Sequence, residues 1–131
     1  MMIEKEFVPY DIALAMKELG FDDKSLAMYT DDSGSIRLLF DGSISGSNIN
    51  VWKSKKMTSA PLYQQAFRWF REKYKLYATV YPTSTNQFGT TLCKGVNEKF
   101  YGDELPLFKT FAEAQDACLR KLIEIVKEKI D

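Results

Sequence analysis

Thr58-Ser59-Ala60-Pro61-Leu62-Tyr63-Gln64-Gln65-Ala66-Phe67-Arg68-Trp69-Phe70-Arg71-Glu72-Lys73-Tyr74 is the stretch on which the reading of the fold turns. Hydroxyl residues followed by proline signal a helix start. A side-chain oxygen caps the free N–H groups of the first turn, and proline lacks the N–H that would be orphaned there. A helix opening at Thr58–Pro61 and running to about Tyr74 carries Leu62, Tyr63, Ala66, Phe67, Trp69, Phe70 and Tyr74 over more than half its circumference. Gln64, Gln65, Arg68, Arg71 and Glu72 make its plainly polar face. So broad an apolar surface is covered on more than one side, which makes this the central helix.

On the N-terminal side, Pro9 to Leu19 reads as a first helix, with proline in the first helical position and Ile12, Ala13, Met16 and Leu19 on one face. Gly20 suits a left-handed helix end, and Phe21 is placed to fold back on Met16. Ser25–Thr30 and Ile36–Phe40 alternate like strands around the turn residues 31–35, so they read as a hairpin. Asp41 to Asn48 is a loop, and Ile49–Lys53 reads as a third strand. On the C-terminal side, Leu76–Tyr81 and Phe88–Val96 are strands joined by the loop Pro82 to Gln87, with a short strand at Lys99–Tyr101. A last helix starts at Thr110, whose spacing to Glu113 makes a capping box. Ala114, Cys118, Leu119, Leu122, Ile123, Val126 and Ile130 form its apolar stripe.

The order α-β-β-(β)-α-β-β-(β)-α predicts an α+β fold, an antiparallel sheet with three helices. At 131 residues, with 45% hydrophobic residues, the chain is expected to form one domain spanning 1–131. No stretch approaches the roughly 18 apolar residues of a membrane span. Together with an acidic N-terminus this points to a soluble, cytoplasmic protein that does not engage the membrane.

The residue inventory constrains chemistry. There is no histidine, which removes Ser-His-Asp triads, Cys-His dyads and the commonest zinc ligand sets. Cys93 and Cys118 form no metal or redox spacing and read as reduced, inert thiols. Asp41-Gly42-Ser43-Ile44-Ser45 has the DxSxS spacing of a metal-ion-dependent adhesion site, but no βα alternation follows to supply the remaining ligands. Gly42 and Gly46 lack the Lys-Ser/Thr pair of a phosphate loop, and Asp31 and Asp32 lack the spaced oxygens of an EF-hand. These are turn residues. The expectation is a protein without catalytic residues, metal or cofactor.

Eighteen bases and eighteen acids cancel, yet unevenly. Residues 53–75 hold seven bases and one acid, whereas residues 1–52 hold nine acids and four bases. Lys53, Lys55 and Lys56 lead into the central helix, where Arg68, Arg71 and Lys75 fall at helical spacing, with Trp52 beside the lysines. Basic side chains near an aromatic can track a phosphate backbone and stack a base. Weak nucleic-acid binding through Lys53, Lys55, Lys56, Arg68 and Arg71 is therefore the alternative function, against the plainer reading of a solvated basic face.

The stretch Ser59–Tyr74 resembles a block in small uncharacterised proteins of Bacteroides-type gut bacteria and their phages. The resemblance extends to Phe7-Val8-Pro9-Tyr10 with Leu19-Gly20-Phe21, and to Phe111-Ala112-Glu113-Ala114 with 118–126. It covers the three helices, about a third of the chain, and the strands between match nothing. It carries no activity and no catalytic residue across. It implies a phage or mobile-element context, with the helices as shared scaffold and the strands and loops as the variable part. The function expected is therefore a non-enzymatic accessory protein that binds a host or phage protein. The contact is expected at loops 41–48 and 82–87 and on the strand faces. Trp52 and Tyr77 are the aromatics whose exposure bears most directly on this.

Overall fold

The computed structural model describes residues 3–30, 35–38, 57–95 and 105–130. A 3₁₀ turn at Ile3–Glu6 precedes α1 (Tyr10–Glu18), β1 (Ala27–Thr30), β2 (Ser35–Leu38), β3 (Met57–Ser59), α2 (Tyr63–Tyr74), β4 (Leu76–Pro82), β5 (Phe88–Lys94) and α3 (Phe111–Ile130). The fold is α+β, with three helices and the strands shared between a three-stranded and a two-stranded antiparallel sheet among the described residues. The chain divides into two compact units, Met1–Ala66 and Phe67–Asp131, with the division falling inside α2.

In the first unit, α1 ends as its sequence foretells. Gly20 sits at φ 99°, its N–H donates to the Lys17 carbonyl, and the Phe21 N–H reaches back to the Met16 carbonyl. These two bonds satisfy carbonyls that the helix end would otherwise orphan, and the side chains of Phe21 and Met16 are both buried. Pro9 stands just before α1 rather than in its first position. Its backbone is extended (φ −67°, ψ 162°), and its carbonyl accepts the first helical bond, from Ala13.

β1 is the middle strand, paired to β2 through Ala27↔Leu38 to Thr30↔Ser35 and to β3 through Met28↔Ser59 to Thr30↔Met57. A strand flanked on both edges and covered on both faces loses its polar side, and Ala27, Met28 and Tyr29 are all buried. The Tyr29 hydroxyl resolves its own burial by donating to the Val8 carbonyl at 2.6 Å, while its ring meets Tyr10 edge-on at 5.4 Å. α1 packs on β3, and the Lys17 Nζ donates to the Met57 carbonyl at 2.7 Å.

The start of α2 differs from the sequence reading. Thr58 and Ser59 belong to β3, and α2 begins at Tyr63. Pairing with β1 holds this segment extended. The Ala60 N–H donates to the Ala27 carbonyl, the Pro61 carbonyl accepts from Val8, and Leu62 bridges to Phe7. A local capping signal yields here to non-local strand pairing. The expected strands at Ile49–Lys53 and Lys99–Tyr101 and the loop 41–48 lie outside the described residues.

In the second unit, α2 turns into β4 through a single residue, Lys75, at φ 58°. Its N–H closes the helix on the Arg71 carbonyl, and its carbonyl accepts from Gly95. β4 and β5 form a two-stranded ribbon in register Leu76↔Lys94 to Pro82↔Phe88. α3 packs against both strands and buries Ala114, Cys118, Leu119, Leu122, Ile123, Ile125 and Val126. The Thr110 hydroxyl accepts the Glu113 N–H at 3.1 Å, the expected cap of that helix. Ile125 lies outside the apolar stripe that the sequence periodicity predicts, yet it is buried. Its burial widens the core face of α3.

Candidate functional site

The β4–β5 ribbon has two faces of different chemistry, and strand alternation decides which residue goes where. Leu76, Ala78 and Val80 lie on one face with their partners Lys94, Leu92 and Thr90. The side chains of Leu76, Thr90 and Leu92 are buried there. Tyr77, Thr79 and Tyr81 lie on the other, opposite Cys93, Thr91 and Gly89. On this outer face Tyr77 is 36% exposed and Tyr81 43%. Thr79 is exposed between them.

Tyr81 is positioned by its partner. A Cβ on Gly89 would come within 2.7 Å of the Tyr81 ring, so the missing side chain is what lets the ring lie across β5. The next residue of β5 in the outward direction, Phe88, bonds in both directions with Phe108. Leu107 precedes that bridge. Leu107 is 49% exposed. The outer face thus offers Tyr77 and Tyr81 around hydroxyl-bearing Thr79 and Thr91. Rigid aromatics with a polar tip, on a strand rather than a loop, lose little side-chain entropy on contact and are favoured in protein interfaces.

The loop at 82–87 contributes stiffness rather than a flexible contact. The Thr83 N–H donates to the Gln87 carbonyl at 2.8 Å. The Thr83 Oγ1 accepts from the backbone N–H groups of Thr85 and Gln87. Asn86 takes the positive φ of 61° that closes the turn. At the same end of the ribbon, Phe88 meets Phe111 edge-on at 5.8 Å, with Phe111 itself 44% exposed.

Of the candidate nucleic-acid contacts, Lys53, Lys55 and Lys56 lie outside the described residues, as does Trp52. Arg68 is exposed on α2 and Arg71 is half-buried. They are three residues apart and so neighbours on the helix, with the exposed Glu72 next to Arg71. Lys73 is turned to aromatic rings, its Nζ standing 5.0 Å from the Trp69 centroid and 5.6 Å from that of Tyr74. That is cation–π range. Lys75 carries the helix-to-strand turn. Of the five candidates the described residues include two, neighbours on a helix whose one further base, Lys73, stands over aromatic rings.

The two thiols differ. Cys118 is fully buried on α3, and burial pushes its thiol from 9.0 up to about 11, the Thr90 hydroxyl pulling slightly the other way. A raised folded-state value favours the protonated form. Its contribution to stability is complete below about pH 9 and is lost as pH rises towards 11. Cys93 is half-buried on the outer face. Alkylation of the native chain at neutral pH should therefore label Cys93 and spare Cys118, read by peptide mass. Equal labelling would contradict the packing of α3 on the ribbon.

Among the described residues no group of three or more Cys, Asp and Glu side chains is placed to hold a metal ion, and no helix is long and apolar enough to cross a membrane. No protein-family model, curated protein or solved structure matches the chain, so the site rests on its own geometry.

Proposed function

We propose that the chain is a non-enzymatic accessory protein that binds another protein through the outer face of the β4–β5 ribbon. The observation that supports this is the exposed Tyr77, Thr79 and Tyr81 on one side of a ribbon whose other side is packed by α3. An aromatic face on a stiff hairpin gives a binding surface with little ordering cost. Phage or mobile-element origin and a cytoplasmic site of action belong to the same proposal. The origin rests on the resemblance of the three helices to small proteins of Bacteroides-type bacteria and their phages, the site of action on the acidic N-terminus and the reading of Cys93 and Cys118 as reduced thiols.

The test is capture with tagged chain from bacterial lysate, with and without nuclease and across ionic strength. A protein partner should be retained after nuclease digestion and between about 50 and 200 mM salt. Phosphate contacts would lose affinity steeply over that range. Recovery of nucleic acid, with all protein lost on digestion, would overturn the reading in favour of binding through Lys53, Lys55, Lys56, Arg68 and Arg71.

A further inference from the structure

β4 carries a pattern that the partner-binding reading does not use. Two bonds fix the parity of the ribbon's ladder: Thr83 N–H to the Gln87 carbonyl, and Gly95 N–H to the Lys75 carbonyl. In an antiparallel pair the bonded residues alternate. Lys75, Tyr77, Thr79, Tyr81 and Thr83 therefore exchange bonds with β5. The N–H and C=O groups of Leu76, Ala78 and Val80 point to the outer edge of β4. The same parity on β5 sends the groups of Phe88 outward, and there they bond with Phe108. Among the described residues no strand pairs with the outer edge of β4.

Natural edge strands are guarded against pairing by charges, bulges or proline. From Leu76 to Tyr81 there is no charged residue and no proline; Pro82 stands only at the end. The sequence is also nearly symmetric about its centre. Tyr77-Ala78-Thr79-Val80-Tyr81 reads aromatic, small aliphatic, threonine, small aliphatic, aromatic in either direction. A two-fold contact requires this property, because residue i must meet j while j meets i.

We propose that two copies of the chain dimerise by antiparallel pairing of β4 with β4, with Thr79 on the two-fold axis. Ala78 then exchanges both backbone bonds with Val80 of the partner subunit, and Val80 does so with Ala78 of the partner subunit. Between these bonded pairs lie the non-bonded positions, where side chains approach most closely. There Tyr77 faces Tyr81 of the partner subunit on each side, and Thr79 faces its own copy. Aromatic and Thr–Thr pairs are the favourable cross-strand combinations. Pro82 has no N–H to offer and ends the ladder at each side. The product is a four-stranded sheet, β5-β4-β4-β5, whose edge pairing leaves the tyrosine face open and doubles it. The pairing does not depend on the partner-binding proposal.

The experiment is sedimentation of the full chain over a concentration series, since a dimer's population depends on protomer concentration. A mass approaching twice 15.1 kDa is expected at high concentration. Thr79→Lys should return the chain to monomer mass while leaving its circular dichroism unchanged. Residue 79 is exposed, so the substitution touches no core, but it sets like charges face to face on the axis. In a Cys93→Ser background, Thr79→Cys should give a disulfide-linked dimer under mild oxidation, because directly opposed non-bonded positions have the short spacing a disulfide needs. A wild-type chain that stays monomeric throughout, or a dimer that persists unchanged in Thr79→Lys, would overturn the proposal. Failure of Thr79→Cys to crosslink while the wild type dimerises would place the contact elsewhere and overturn it equally.

Discussion

Replacing Phe21 with alanine is expected to destabilise the fold by about 3–5 kcal/mol, read as a shift of the urea midpoint by roughly 2 M. Phe21 is 1% exposed and among the largest fully buried side chains. It follows Gly20, which carries the positive φ that ends α1, and its own N–H bonds to the Met16 carbonyl. Truncation removes apolar contacts, opens a cavity and loosens the contact that holds the helix end. A domain of this size is stable by only about 5–15 kcal/mol, so the variant should lose a large part of its margin. A loss below about 1 kcal/mol would mean that the end of α1 is not anchored as described.

The second large effect is expected at Phe70. This residue is fully buried, with Trp69 edge-on at 5.0 Å and Tyr74 at 6.1 Å. Phe70→Ala should cost about 3–5 kcal/mol, again as transfer loss plus cavity. Phe70→Leu keeps most of the volume and should cost less than about 1.5 kcal/mol. Circular dichroism gives the stability, and the emission of Trp69 reports the loss of its ring neighbour. Equal costs for the two substitutions would show that the aromatic cluster of α2 is held by something other than packing volume.

These two residues mark what was legible in the sequence. Gly20 and Phe21 carry a local signal, since a left-handed helix end needs a residue without Cβ followed by an apolar one. Thr110 and Glu113 are similar, a cap written within four residues. The start of α2 was not legible for the opposite reason. Thr58-Ser59-Ala60-Pro61 has the chemistry of a cap, but its backbone groups are taken by Ala27 and Val8, more than thirty residues away. Nothing in the local sequence encodes that pairing. The division of the strands into two sheets is likewise a non-local outcome.

The candidate site was legible in part. The sequence marks Tyr77 for exposure and the strand faces as the contact. It does not mark Tyr81. With small Ala78 and Val80 on the alternate positions of β4, the sequence does not say which face is the core, and tyrosines on a strand read naturally as buried. The register decides it. Gly89 stands opposite Tyr81, and α3 covers the side that holds Leu76 and Leu92. A glycine within an otherwise regular strand was the available signal, since such a residue often marks a close approach.

The most direct test of the account is capture from nuclease-treated lysate by the tagged wild-type chain and, side by side, by a Tyr77→Ser/Tyr81→Ser variant. Both residues are exposed, and the two proteins are compared at concentrations where both are monomeric, so that a lost β4–β4 contact is not read as a lost partner. If the outer face of the ribbon is the binding surface, proteins enriched by the wild type should be lost with the variant, because truncating aromatic anchors typically costs tenfold or more in affinity. The same proteins captured equally by both would contradict the assignment of that face.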